Sequence, residues 1–159
     1  AGHGGDMWLN GAPAYYREHL AKGDWRGLFA SLRWWIQEVR KEAPVDIQLR
    51  GEDPPSRLAA KVEMALFRVA QEAVVNAIKH SGAERIVVTL EPQDGVVRLC
   101  VSDDGCGFDE SGVSNRPVGG HWGLLIMRER IEGVGGNFYI DTGPGAGTTV
   151  VAEMAVVKN

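Results

Sequence analysis

Glycines are concentrated in four short clusters of this 159-residue chain, and this distribution constrains the fold more than any other feature of the sequence. The chain has 21 glycines, and the clusters lie at residues 105–107, 119–123, 133–136 and 143–147. Glycine is favoured where the backbone needs a positive φ angle or must pass close to another group. For the last two clusters, turns between strands and ligand contacts are equally good interpretations. The residues around the first two clusters favour ligand contacts.

Composition and charge exclude several classes of function. Apolar residues make up 44% of the chain and charged residues 24%, as in an ordinary soluble globular protein. The formal net charge of −4 argues against a nucleic-acid-binding surface, which needs clustered lysine and arginine. The sequence has no run of about 18 apolar residues, so this domain is expected to make no membrane contact. Cys100 and Cys106 form neither a disulfide framework nor a metal-ligand pattern, which favours a cytoplasmic location.

Hydrophobic periodicity and turn residues predict an α+β two-layer sandwich. Helices are expected at residues 25–42, 56–80 and 123–134, and strands at 45–49, 85–90, 96–102, 137–142 and 148–157. Consecutive strands joined by short turns favour a mixed, mostly antiparallel sheet with helices covering one face. Residues 25–159 are expected to form this domain, and residues 1–24 a tag, a linker or an irregular segment. Ser56 is expected to cap the long helix and Gly82 to end it.

The long helix carries a carboxylate, an amide and an ammonium group on one side. At 100° per residue, Glu72, Asn76 and Lys79 fall within a sector about 60° wide, at the border of the apolar face. A solvated helix edge would also contain glutamate and lysine, but asparagine is unfavourable in the middle of a helix. Its amide oxygen suits a hard cation such as Mg²⁺, which also takes phosphate ligands. This edge is therefore a candidate ligand site.

Three glycine-bearing segments supply further candidate contacts. A buried strand leads into Asp103-Asp104-Gly105-Cys106-Gly107, which places a carboxylate at the end of the strand. A carboxylate can recognise adenine by accepting a hydrogen bond from its exocyclic amine, but ordinary Asp-Gly turns and calcium loops use similar residues. The segment Gly120-His121-Trp122-Gly123-Leu124 opens a helix, whose free N–H groups and dipole attract anions. Gly147-Thr148 begins the last strand, where a simple turn is an equally good interpretation. Residues 108–121 form a loop of a length that is usually functional or disordered.

In this order, the segments resemble the motifs of the GHKL ATPases, whose ATP-binding domain has the Bergerat fold. Residues 67–80 resemble the N box, residues 103–107 the G1 box, residues 120–124 the G2 box, and Gly147-Thr148 the final glycine–threonine element. The pattern Gln-Glu-Ala-x-x-Asn-Ala-x-Lys-His at residues 71–80 is similar to the nitrate-sensor and desaturase-sensor class of bacterial histidine kinases. The sequence has neither a P-loop nor the ordered protein-kinase signatures.

The resemblance implies an ATP site with Mg²⁺. Asn76 would ligate Mg²⁺, Asp103 would bind the adenine amine, and Glu72 would polarise the attacking group. Residues 108–122 would form the ATP lid, and Lys79 or His80 would reach a phosphate. The other nucleotide-binding positions implied by the motifs are Gly105, Gly107, Gly120, His121, Gly123, Leu124, Gly147 and Thr148.

The resemblance also implies a histidine protein kinase whose phosphoacceptor lies outside this chain. The phosphoacceptor helix of that class carries a His-Asp pair, and none of the four histidines here is followed by aspartate. The expected function is to position Mg-ATP for phosphoryl transfer to a histidine on a separate dimerisation domain, and the chain alone is expected not to autophosphorylate. The expected partners are the dimerisation helices and a response-regulator receiver domain, with no nucleic acid. Many relatives are membrane-anchored sensors.

Two other functions are compatible with the same motifs. An anti-sigma-factor-type serine kinase has the same ATP site but phosphorylates a partner protein. A non-catalytic ATP-binding module would use the fold only as an interaction surface. Phosphotransfer to a receiver domain, after a histidine-bearing helix pair is added, would identify the histidine kinase. Failure to bind a fluorescent ATP analogue in Mg²⁺ would favour the non-catalytic module.

Overall fold

The fold comes from a computed structural model, which describes residues 27–55, 57–108 and 121–156, without the side chains of residues 121 and 122. Its helices are α1 (Leu28–Arg40), α2 (Ala60–Asn76) and α3 (His121–Glu132), and a π-helical turn (Ala77–Ser81) continues α2. Its strands are β1 (Asp46–Gly51), β2 (Arg85–Gln93), β3 (Val96–Asp103), β4 (Asn137–Thr142) and β5 (Thr148–Ala155). The predicted N-terminal segment, the Ser56 cap, Gly120 and lid residues 109–120 lie outside the described residues.

The five strands form one sheet in the order β1-β2-β3-β5-β4. Strands β1 and β2 are parallel, and every other neighbouring pair is antiparallel. Asp94 and Gly95 join β2 to β3 with φ angles of 52° and 78°. Two successive positive φ angles match the right-handed twist of a tight hairpin. The predicted α+β class and mostly antiparallel sheet are therefore confirmed.

The helices pack on one face of the sheet and bury its apolar side chains. In β2, the alternate residues Ile86, Val88 and Leu90 are fully buried, as expected for a strand with one covered face. In α1, the predicted apolar stripe is entirely buried, and its residues are Leu28, Leu32, Trp35, Ile36 and Val39. The Trp35 ring meets Phe67 of α2 edge to face, with a centroid distance of 6.3 Å. This packing fixes α2 over the sheet.

The long helix differs from its prediction at both ends. It begins at Ala60 rather than at residue 56, because Ala59 is extended (φ −59°, ψ 145°) and its carbonyl accepts the first helical N–H groups. Regular α-helix ends at Asn76, and a π-helical turn follows as far as Ser81. Gly82 then takes a left-handed conformation (φ 65°), so the prediction that Gly82 ends the helix is confirmed. None of the described helices is long and apolar enough to cross a membrane.

Candidate functional site

A cavity of about 230 Å³ lies between the end of α2, the start of α3 and the centre of the sheet. Its apolar lining comes from α2, β3, α3 and β5, and includes Ala73, Val101, Leu124, Met127 and Val150. Pockets for drug-sized ligands usually measure about 300–1,000 Å³, so this cavity suits part of such a molecule, such as a flat heterocycle. The apolar lining suits the faces of that ring.

Asp103 is the carboxylate in this cavity, at the end of β3. Its Oδ1 accepts a hydrogen bond from the N–H of Gly105 (2.8 Å), and the side chain is half-buried. Burial raises the pKa of Asp103, and hydrogen bonds from the backbone of Gly105 and Thr148 act in the opposite direction. A carboxylate held in this way can accept a hydrogen bond from a ligand amine.

Two glycines are needed at this corner because the backbone passes very close to itself. Gly147 has a φ of 72°, and a Cβ there would overlap the carbonyl oxygen of Asp103. Gly107 has a φ of 63°, and a Cβ there would overlap the carbonyl oxygen of Gly143. Left-handed φ angles and these close approaches both favour glycine over any residue with a side chain. The corner that presents Asp103 therefore depends on glycine at both positions.

Asn76 also lines the cavity, at the point where α2 becomes the π-helical turn. Turns of this kind are often found at functional sites. The Asn76 amide is half-buried and makes no hydrogen bond to the described residues. Gly123 at the start of α3 lies against both Asn76 and Glu72. The amide, a carboxylate and a helix N-terminus therefore meet at one place.

The structure brings most of the predicted site residues together. Six of them line the cavity: Asn76, His80, Asp103, Gly107, Leu124 and Thr148. Glu72 is not part of the cavity lining but lies, like Asn76, against Gly123; Gly105 and Gly147 support the backbone around Asp103. Gly120 and the side chain of His121 are outside the described part of the chain.

Lys79 does not line the cavity. Its side chain is exposed; the next residue, His80, is also exposed but does line the cavity. The predicted stack of Lys79 with Glu72 and Asn76 assumed 100° per residue, and a π-helical turn advances the chain by a smaller angle. A nucleotide contact by Lys79 stays a prediction.

Several lining residues were not singled out from the sequence. Met127 follows Leu124 by three residues, so helical spacing could have indicated that both face the cavity. Phe108 could have been found as the residue that follows the second glycine of the 105–107 cluster. Ser81 gave no local signal, because it looked like the end of a regular helix.

The sequence matches the family model of the histidine kinase-, DNA gyrase B- and HSP90-like ATPases over residues 61–158. It is 37% identical over 131 residues to the signal transduction histidine-protein kinase/phosphatase DegS of Bacillus subtilis, covering 80% of this chain and 34% of DegS. It is 32% identical over 132 residues to the nitrate/nitrite sensor protein NarX of Escherichia coli, covering 83% of this chain and 21% of NarX. The chain thus spans about a third or less of these relatives.

Solved structures share the same fold. The histidine kinase domain of a blue-light activated kinase from Erythrobacter litoralis superposes with a TM-score of 0.63 at 22% identity, covering 82% of this chain and 61% of that domain. The catalytic domain of the histidine kinase ThkA gives the same TM-score and identity, covering 80% of this chain and 89% of that domain. At this level of identity the likeness establishes the architecture alone.

Proposed function

Because this chain belongs to the histidine kinase-, DNA gyrase B- and HSP90-like ATPase family, we propose that it positions Mg-ATP for phosphoryl transfer to a histidine on a separate dimerisation domain. It is the ATP-binding catalytic domain of a sensor histidine kinase, as its relatives indicate. Those relatives favour a histidine acceptor over the serine acceptor of an anti-sigma-factor-type kinase. In this proposal the N-terminal boundary of the domain lies at residue 25. The final phosphoryl acceptor is a receiver domain.

One observation carries this proposal: Asn76 at the end of α2 and Asp103 at the end of β3 line the same cavity. Asp103 would accept a hydrogen bond from the adenine amine, and the apolar side chains around it would hold the faces of the ring. The phosphates would then extend towards Asn76 and the N-terminus of α3. Because a helix N-terminus attracts anions, this orientation places the phosphate charge where the backbone favours it.

Mg²⁺ fits this arrangement through a single protein oxygen. Among residues 27–55, 57–108 and 121–156, no group of three or more His, Cys, Asp or Glu side chains is placed to hold a metal. Mg²⁺ is commonly held by one or two protein groups together with substrate phosphates and waters. The Asn76 side-chain oxygen would be the protein ligand, and the bound ion would neutralise phosphate charge.

The remaining residues act by position and charge. The γ-phosphoryl group moves from ATP to an imidazole nitrogen of the acceptor, ADP leaves, and the imidazole loses a proton. Glu72 lies against Gly123, as Asn76 does, and would polarise the attacking group from there. His80 and Lys79 are both exposed, but His80 lines the cavity and Lys79 does not, so His80 is the better candidate for a phosphate contact. Phosphoryl transfer depends mostly on alignment and electrostatic stabilisation, which suits a site with no covalent nucleophile.

Isothermal titration calorimetry of the chain with ATP tests the proposal. We expect saturable binding in Mg²⁺ and weaker binding when EDTA removes the metal. Asn76→Ala should lower the affinity in Mg²⁺ to the value measured in EDTA. Asp103→Ala should weaken binding with and without Mg²⁺. Asn137→Ala, at an exposed position of β4, is the matched control and should bind like the wild type. If Asn76→Ala binds Mg-ATP with unchanged affinity, the metal assignment is wrong.

Transfer itself is tested by joining the chain to a histidine-bearing helix pair and adding a receiver domain. Radioactive phosphate from labelled ATP should appear first on the histidine and then on the receiver. Label on serine instead would favour the anti-sigma-factor-type kinase. A wild-type chain that binds no nucleotide would favour the non-catalytic module.

A further inference from the structure

Ser81, the last residue of the π-helical turn, connects three segments beside the cavity. Its hydroxyl donates a hydrogen bond to the carbonyl oxygen of Ala77 (2.6 Å) and accepts one from the N–H of Ala83 (3.1 Å). Its carbonyl oxygen accepts a hydrogen bond from the N–H of Cys106 (2.8 Å). Ser81 thus links the turn after α2 both to the start of β2 and to the segment after β3.

Gly105 packs directly against Ser81. Its φ is not left-handed, but a Cβ there would overlap the Ser81 side chain and lie 2.6 Å from the Ser81 carbonyl oxygen. Glycine is therefore required here by close approach and not by backbone conformation. The N–H of the same glycine donates to Oδ1 of Asp103, so the residue that touches Ser81 also orients the carboxylate.

The neighbouring backbone reinforces this connection. Asp104 accepts hydrogen bonds at Oδ1 from the N–H groups of Glu84 (2.9 Å) and Arg85 (3.0 Å). These residues directly follow Ala83, which is bonded to the Ser81 hydroxyl. The segment that carries Asp103 is therefore held against the 81–85 segment at several points. Ser81, like Asp103, also lines the cavity.

We propose that Ser81 is a positioning residue for adenine recognition, which holds the 105–106 turn so that the Asp103 carboxylate faces the exocyclic amine. This inference rests on the proposed function. Hydrogen bonds weaken steeply when donor and acceptor are misaligned, so a small rotation of the carboxylate is sufficient to lose the contact. The apolar contacts to the faces of the ring come from Ala73, Leu124 and Met127, which do not depend on Ser81.

The amine contact is isolated by comparing two nucleotides. ADP and purine riboside 5′-diphosphate differ only in the exocyclic amine, and calorimetry gives the affinity of each in Mg²⁺. The wild type should prefer ADP. Ser81→Ala keeps the backbone carbonyl that Cys106 binds and removes the hydroxyl, whose hydrogen bonds to Ala77 and Ala83 fix the Ser81 side chain against Gly105. It should reduce the preference for ADP about fivefold, which corresponds to the loss of one ordinary hydrogen bond, and should leave the affinity for the analogue unchanged. Asp103→Ala removes the carboxylate itself, so this variant should bind the two nucleotides equally and gives the largest loss of preference that can be observed.

Ser31→Ala is the matched control. Ser31 is a buried helical serine whose Oγ also donates to the carbonyl oxygen four residues earlier, at Gly27 (3.0 Å), but it lies outside the cavity lining. Its removal should leave the nucleotide preference unchanged. Circular dichroism melting verifies that each variant is folded. If Ser81→Ala does not fold, Ser81→Cys takes its place with the same expected loss of preference.

Two results would overturn the role of Ser81. One is an equal loss of affinity for both nucleotides in the Ser81 variants, which indicates a general structural effect. The other is an unchanged preference for ADP. A wild-type chain that binds neither nucleotide contradicts the proposed function itself, and is therefore distinguished from both results.

Discussion

A Cβ atom on Gly123 would lie 2.8 Å from Oε1 of Glu72. Real Cβ atoms do not come this close, so glycine at position 123 allows α3 to begin directly beside the carboxylate. The same Cβ would lie 3.0 Å from Nδ2 of Asn76. Gly123 thus places the start of α3, which we expect to attract phosphate, directly beside the Asn76 amide, which we expect to ligate Mg²⁺.

Gly123→Ala should weaken Mg-ATP binding about tenfold, because the new methyl group would push the ends of the Glu72 and Asn76 side chains away from their positions beside the start of α3. Calorimetry measures the affinity, and circular dichroism measures whether the fold is retained. Gly143→Ala is the control, since its Cβ would be 3.8 Å from its nearest neighbour and its φ is not left-handed. Equal affinities for both variants would contradict the close approach at Gly123.

Nucleotide affinity should fall on acidification at a higher pH than an ordinary aspartate would cause. Burial raises the pKa of Asp103 above the ordinary value of an aspartate, and protonation turns one acceptor oxygen of the carboxylate into a donor. ADP affinity should therefore be constant above the raised pKa and decrease as the pH falls through it. The measurement is a calorimetric titration between about pH 7 and about pH 4. Asp103→Asn, which has no carboxylate to protonate, corrects for titration of the nucleotide; an identical profile for this variant would exclude Asp103 as the cause.

The stability of the domain should decrease as the pH rises from about 4.5 to about 7, because of Glu63 in the first turn of α2. Glu63 is 2% exposed, its Oε2 has no hydrogen-bond partner among the residues that the structure describes, and Arg57 lies 3.7 Å from its Oε1. Burial is the main reason that the pKa of Glu63 is raised to about 7. The positive charge of Arg57 lowers this pKa by a smaller amount, and the negative charge of Asp53 raises it further.

The sign follows from proton binding. The folded state holds the Glu63 proton more tightly than the unfolded state does, so stability is lost as the unfolded chain releases its proton. Urea denaturation should show Glu63→Gln close to the wild type at about pH 4 and up to about 3 kcal/mol more stable at about pH 8. A pH-independent difference between the two proteins would show that Glu63 does not titrate in this range.

Asp94→Ala should destabilise the domain by about 1 kcal/mol, because alanine is strained at the left-handed φ of the β2–β3 turn. Asp94→Asn should be neutral, since asparagine tolerates this conformation well. Urea denaturation gives both values. Glu91→Ala, at an exposed position of β2 in the same hairpin, is the control and should change the stability little. An Asp94→Ala variant as stable as Asp94→Asn would exclude strain at this turn.

Local patterns in the sequence determined most of the architecture of this protein. The apolar stripe of α1, the Asp94-Gly95 turn and the succession of helices and strands along the chain each depend on residues close together in the sequence. Periodicity and turn chemistry report such features directly. Short motifs also indicated the candidate residues Asn76 and Asp103, because the residues next to each of them in the chain already show which local backbone structure holds it.

Tertiary structure alone decided how these motifs meet. Helical periodicity assumes a constant 100° per residue, and the π-helical turn at Ala77–Ser81 departs from it before Lys79 and His80 are reached. That turn is bonded and packed against Gly105 and Cys106, more than 20 residues later in the chain. The burial of Glu63 beside Asp53 and Arg57 likewise depends on how α2 packs on the rest of the domain. No local pattern encodes contacts of this kind, because their energy depends on segments that become neighbours only after folding.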